Sequence, residues 1–169
     1  MLYFLIGFMG SGKTYWGRRW SSAFGLDFLD LDESIEREQG KSIGEIFEKQ
    51  GEASFRKIEA QKLRELSAPK GKRLIVACGG GTACYHRNMQ HMNDRGTTIF
   101  LKASPQLLAQ RLLPELGHRP VLAGLGAEDL PGFIRQKLSE REPYYLRSVY
   151  HFNTAFLQDE NFRKILDKP

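Results

Sequence analysis

Apolar and polar positions along the chain follow two periods in turn. Leu2 to Ile6, LYFLI, is an unbroken apolar run, the pattern of a strand covered on both faces. It passes through glycines into a segment where Trp16, Trp20, Ala23 and Phe24 recur at helical spacing, and Gly25 closes it. Asp27 to Asp32, DFLDLD, reads as a short strand, and two-residue spacing in a strand sends Asp30 and Asp32 to one side. Ser42, followed three residues later by Glu45, is a capping box opening IGEIFEKQ. A second helix is predicted from about Glu52 to Leu66. After a turn at Pro69 to Lys72, LIVAC has the character of a buried parallel strand and ends in Gly79-Gly80-Gly81-Thr82. Thr97 to Lys102 is a further strand, and Ser104 with Pro105 opens the helix carrying Leu108, Arg111 and Leu112. A helix from about Asp129 presents Phe133, Ile134, Leu138 and Arg141, and Pro143 should end or kink it. Ser148 to Phe152 reads as the last strand and Asn161 to Leu166 as a closing helix.

Strands alternating with helices predict a three-layer α/β fold with a mainly parallel sheet of about five strands. Its 169 residues, 41% of them apolar, suffice for one domain with a sizeable core. No apolar run approaches the length that spans a bilayer, and MLYFLIG lacks the basic start and cleavage site of a signal peptide. A cytoplasmic location is therefore expected. The net charge of +5 comes from 25 basic and 20 acidic residues mixed along the chain, without a basic block. Neither nucleic acid nor a membrane is expected as a partner; an anionic small molecule and a merely solvated surface both fit the excess. Cys78 and Cys84 cannot complete a zinc site by themselves and are expected to be reduced thiols.

The candidate chemistry starts at Gly7-Phe8-Met9-Gly10-Ser11-Gly12-Lys13-Thr14, which fits G-x-x-x-x-G-K-[ST] between a strand and a helix. Such a loop turns backbone N–H groups toward phosphate at a helix N-terminus, with the lysine for the outer phosphates and the hydroxyl for magnesium. Asp30 and Asp32 could hold a metal or take a proton; alternatively Asp32 caps the helix that starts at Glu33. Arg56 and Glu59 are neighbours on one helix, either an exposed ion pair or part of a pocket walled by Phe47 and Phe55. Three glycines at a strand end leave bare backbone for a ligand, or form a flexible turn. The glycine-bounded segment Leu116 to Gly124, with Arg119 at its middle, is a lid candidate, and Arg141 sits beside the Pro143 break.

Taken together, FMGSGKT, FLDLDESIE, GKSIGEIFEKQGEASFRKIE, GGGT, RPVLAG and EREPYY, in this order from Leu5 to about Tyr145, resemble the shikimate kinase family. The resemblance implies ATP-dependent phosphorylation of the 3-hydroxyl of shikimate, in the biosynthesis of chorismate and the aromatic amino acids. It implies the P-loop kinase fold of the nucleoside monophosphate kinase type, with a sheet ordered 2-3-1-4-5. It further implies ATP and Mg2+, and within a single domain over 1–169 a substrate-binding segment at about 33–60 and a lid at about 113–125; a monomer is expected, although the sequence does not reveal oligomeric state. By position, Gly10, Ser11, Gly12 and Lys13 correspond to the phosphate site, and Thr14 to a magnesium ligand, with Asp30 acting through water. Asp32 corresponds to the base. Arg56 and Arg141 correspond to the clamp on the acceptor carboxylate, with Glu59 orienting Arg56 and with Gly79, Gly80 and Gly81 against the acceptor ring. Arg119 corresponds to the lid contact with the transferring phosphate, and Arg111 to the residue over adenine. The chain departs from the family at His151-Phe152-Asn153-Thr154 and in the residues that follow, which leaves adenine contacts there unassigned; Cys78 and His118 have no role by this correspondence. A related small-acid kinase such as a gluconate kinase is not expected to combine FR-x-x-E with GGG. A regulatory protein without transfer is not expected to keep Asp32, Arg56 and Arg141.

Overall fold

The computed structural model describes residues 1–116, 120–122 and 124–167. Five strands form its sheet: β1 (Leu2–Ile6), β2 (Asp27–Asp30), β3 (Leu74–Ala77), β4 (Gly96–Lys102) and β5 (Tyr150–Asn153). All neighbours pair in parallel, in the order β2-β3-β1-β4-β5 that the resemblance implies. The central β1 shows why its run is continuously apolar. Phe4 and Ile6 enter a core with Val76, Phe100, Leu31, Ile46 and Phe55, whereas Tyr3 and Leu5 enter a second with Ile75, Leu101, Trp20 and Phe162. Alternate side chains thus feed opposite layers.

The helices are α1 (Lys13–Phe24), α2 (Leu31–Gln39), α3 (Ile43–Glu65), α4 (Asn88–Arg95), α5 (Pro105–Leu112), α6 (Leu130–Tyr145) and α7 (Asp159–Leu166). On one side, Trp20 of α1 stacks on Phe162 of α7 with centroids 4.5 Å apart. A third cluster, including Phe8, Met9, Leu108, Leu112, Leu130 and Ile134, packs beneath the phosphate loop and the segment that follows α5. The glycine-rich loop after β1 therefore rests on a solid floor.

Several boundaries differ from the sequence reading for identifiable reasons. β2 stops at Asp30, whose side chain caps α2 by accepting from the Asp32 and Glu33 N–H groups. Asp32 is thus a first-turn helix residue, neither a strand residue nor the cap. By contrast, the two helices predicted in 43–66 are present as the two arms of α3, which meet at Gly51, where φ 79 and ψ 165 suit glycine. The Ser42–Glu45 capping box is present. Ala23 is exposed, so the buried face of α1 is narrower than its spacing suggests. Pro143 does not stop α6, which continues to the fully buried Tyr145; the Leu146 N–H bonds to Glu142 O at 2.9 Å and closes the last turn. The short helix α4 was unanticipated because only Asn88, Met89 and Met92 of its eight residues are buried, too few to show a period.

Candidate active site

The loop from Gly7 to Gly12 leaves β1 at its carboxyl end and delivers the chain into α1. Gly12 takes φ 93 at the N-cap and offers no side chain, so the first N–H groups of α1 are left for a ligand. Lys13 folds back over the loop, its Nζ donating to Gly7 O and Phe8 O at 2.9 Å each. Across the helix start, Thr14 Oγ1 donates to Asp30 Oδ2 at 2.7 Å, while Asp30 Oδ1 caps α2. One aspartate thus serves both readings: one oxygen finishes a helix and the other faces the hydroxyl beside the phosphate loop. From the far side, Arg111 of α5 donates to Gly10 O at 3.0 Å. Lys13, Thr14, Asp30, Asp32 and Arg111 line a cleft of about 590 Å³, whose wall extends to Trp16 and Thr154.

Asp32 reaches the same cleft from the first turn of α2. Its Oδ1 is buried and has no hydrogen-bond partner among the described residues. Burial, and then the nearby Glu59 and Asp30 carboxylates, push its pKa up to about 6, against the pull of Lys13 and Arg56. A carboxyl of that kind ionises near neutrality and is suited to exchange a proton.

Glu59 and Arg56 form a buried pair, not the exposed one that helical spacing alone allows. Glu59 has no exposure; its Oε2 accepts from Arg56 Nη1 at 2.9 Å and its Oε1 from Thr82 Oγ1 at 2.5 Å. Arg56 is 6% exposed and lies 4.6 Å from the Tyr85 ring centroid and 5.0 Å from that of Phe55. Arg141 comes from α6, its guanidinium 5.5 Å from the Phe8 centroid and its Nη1 3.5 Å from Gly80 O. Tyr145 also donates to Gly80 O.

The three glycines after β3 are required by how closely these charges approach. A Cβ on Gly79 would stand 2.8 Å from Asp32 Oδ1 and 2.9 Å from Glu59 Oε1, and one on Gly81 2.5 Å from Arg56 Nη2. The flexible-turn alternative fails on those distances. Asp32, Phe47, Phe55, Arg56, Gly79 to Gly81 and Arg141 bound a second cleft of about 380 Å³. Both clefts are lined by Asp32, Gly79 and Gly80, so they meet there.

Apart from Ser11, which is buried in the loop and lines neither, the predicted site residues that the structure describes gather on these two clefts. Arg119 and His118 lie outside the described residues. Glu52, Thr82, Tyr85 and Tyr145 were missed. Glu52 is four residues before Arg56 and detectable by helical spacing, whereas Thr82, Tyr85 and Tyr145 reach the site only through the fold. The cysteines are free: burial raises the Cys78 thiol well above its usual range and the half-buried Cys84 to about 11, which makes both weak nucleophiles. No group of three His, Cys, Asp or Glu side chains able to hold a metal occurs among the described residues. The Thr14–Asp30 pair suits magnesium, an ion that takes few protein ligands and fills its shell with water and phosphate oxygens.

A parallel 2-3-1-4-5 sheet with a lysine- and threonine-bearing phosphate loop at the end of β1, and a second cleft joined to the first, defines a P-loop kinase. The family model for shikimate kinase matches residues 9–168. This chain belongs to the shikimate kinase family. A shikimate kinase of Bacteroides thetaiotaomicron is 38% identical over 156 residues, 92% of this chain and 88% of the relative. A crystal structure of shikimate kinase from that organism superposes with a TM-score of 0.90 at 34% identity, covering 99% of each chain. The Acinetobacter baumannii shikimate kinase in complex with shikimate gives a TM-score of 0.83 at 32% identity, covering 98% of this chain and 90% of that one.

Proposed function

We propose that this chain transfers the γ-phosphoryl group of ATP to the 3-hydroxyl of shikimate, yielding shikimate 3-phosphate and ADP. The observation that supports this best is the meeting of the two clefts at Asp32, with phosphate-binding groups in one and a pair of arginines in the other. The nucleotide cleft takes ATP on the loop N–H groups of Gly10 to Gly12, with Arg111 over the base. Lys13, now held by two loop carbonyls, exchanges those partners for phosphate oxygens. Thr14 and, through water, Asp30 would hold Mg2+, which would supply charge neutralisation on the phosphates.

In the second cleft Arg56 and Arg141 hold the acceptor carboxylate by charge-assisted hydrogen bonds, with Glu59 fixing the orientation of Arg56. Gly79 to Gly81 let the ring lie against backbone. Clamping the carboxylate aims the opposite side of the ring at Asp32. Asp32, ionised above about pH 6, takes the hydroxyl proton as the new O–P bond forms and the bond to ADP breaks. Segments 33–60 and 113–125 act as acceptor wall and lid, and Arg119 of the lid stabilises the transferring phosphoryl group. The enzyme works as a cytoplasmic monomer within the single domain 1–169; no helix among the described residues is long and apolar enough to cross a membrane.

ADP release measured with shikimate, with gluconate and with no acceptor tests the reading. Release that depends on shikimate supports it. Release with gluconate alone assigns a different acid acceptor, and no acceptor-dependent release with any of them removes the transfer function.

A further inference from the structure

Two carboxylates hold the Arg56 guanidinium, and their situations differ. Glu59 is fully buried and has its second oxygen on Thr82. Glu52 is 50% exposed at its side chain, yet its Oε1 alone accepts from Arg56 Nε at 3.1 Å, from Nη2 at 3.0 Å and from the Tyr85 hydroxyl at 3.2 Å. Glu52 also follows Gly51 directly, where α3 is broken and where even an added Cβ would meet nothing within 4 Å. Its contact with Arg56 is the one that can be exchanged.

The edge formed by Nε and Nη2 is the fork with which an arginine receives a carboxylate. Here it borders a cavity of about 450 Å³ that shares Phe47, Arg56 and Arg141 with the acceptor cleft and is also lined by Lys137 and its ion-pair partner Glu140. An acid arriving between Arg56 and Arg141 that takes this fork competes with Glu52 for its Nε and Nη2 N–H groups. We infer that Glu52 is an internal carboxylate latch: it fills the Arg56 fork, and an acid acceptor that binds through that fork displaces it. This rests on the assignment of Arg56 and Arg141 to the acceptor carboxylate.

The latch has two consequences. A buried guanidinium is not left short of partners in the empty enzyme, which would be costly. An acceptor without a carboxylate cannot replace what Glu52 supplies, so the exchange selects acids, and Tyr85 sets how firmly the latch is held. The apparent affinity of the acceptor is lowered by the fraction of time the fork is closed. With a half-exposed ion pair to break, that factor is about 2 to 6.

The test is calorimetric titration of shikimate into the nucleotide-free protein, comparing the parent with Glu52→Gln, Tyr85→Phe and the double variant. Gln keeps the shape without the charge. The latch predicts about 2- to 6-fold tighter binding in Glu52→Gln, a smaller gain in Tyr85→Phe and no further gain in the double variant. Unchanged or weaker binding in Glu52→Gln overturns it, weaker binding meaning that Glu52 anchors Arg56 for the acceptor. Phenylglyoxal labelling of Arg56, followed by peptide mass, needs no acceptor. Severalfold faster labelling in Glu52→Gln supports the latch even if shikimate fails to bind the parent, in which case the acceptor assignment falls alone. Equal labelling rates overturn the latch.

Discussion

At the residue scale, Asp32 carries the most testable chemistry. Asp32→Asn should lower kcat by about 10² to 10⁴ while ATP affinity holds, because the amide keeps the shape and cannot take a proton. The structure adds a pH signature. Its pKa, about 6 against 3.8 for an ordinary aspartate, makes the folded state prefer the protonated carboxyl. The associated stability is fully present below about pH 4 and is lost as pH rises through 6, with an upper bound of about 3 kcal/mol for a two-unit shift. Asp32→Asn should therefore melt higher than the parent at pH 8, with a smaller difference at pH 4. Activity of the parent should fall on the acid side of about pH 6, where the base is protonated. Glu59 is the second cause of the raised value, so Glu59→Gln should move that acid limb to lower pH. A pH–rate profile of kcat/KM for each protein checks the direction.

At the element scale, the turn after β3 works by having no side chains. Gly81 has φ −102, a conformation any residue adopts, so only space forbids a larger residue there. Gly81→Ala would put its Cβ 2.5 Å from Arg56 Nη2. Arg56 is held by Glu59 through Nη1 and by Glu52 through Nη2, so moving it away disturbs both pairs. The acceptor KM should rise by about tenfold or more, equivalent to about 1.4 kcal/mol, with the ATP KM nearly unchanged. Steady-state kinetics with each substrate varied in turn distinguishes this from general misfolding, which would affect both. The break at Gly51 belongs to the same scale: φ 79 there makes Gly51→Ala destabilising by about 1 kcal/mol, visible as a lower denaturant midpoint.

At the scale of the whole molecule, two cores on opposite faces of β1 hold the sheet. Trp20, fully buried, joins α1 to α7 through Phe162. Trp20→Ala should cost about 3 to 5 kcal/mol, a fall in Tm on the order of 10 °C for a chain of this length. It should spare the KM values in the fraction that remains folded, since the tryptophan lines neither cleft. Thermal melting together with kinetics at low temperature tests both halves of that statement.

The phosphate loop and most of the elements were legible in the sequence because each is a local signal, whereas the pairing of Arg56 with Arg141 was legible only through the family resemblance. A glycine pattern specifies backbone shape, an unbroken apolar run specifies a strand covered twice, and a capping box specifies a helix start. Helical spacing likewise put Arg56 beside Glu59 but was silent on burial, which depends on what packs over that face. Tertiary structure made the pair a buried one by laying Gly79 and Gly81 against it. It also divided the work of Asp30 between a cap and Thr14, and it raised the Asp32 pKa by burial and by the Glu59 carboxylate, with neighbouring Asp30 adding to both. Tyr85 and Tyr145, 29 and 89 residues beyond Arg56 by their numbers, reach the site only because the parallel sheet brings its strand ends together. Desolvation and long-range proximity are properties of the packed chain, and no local pattern of residues encodes them.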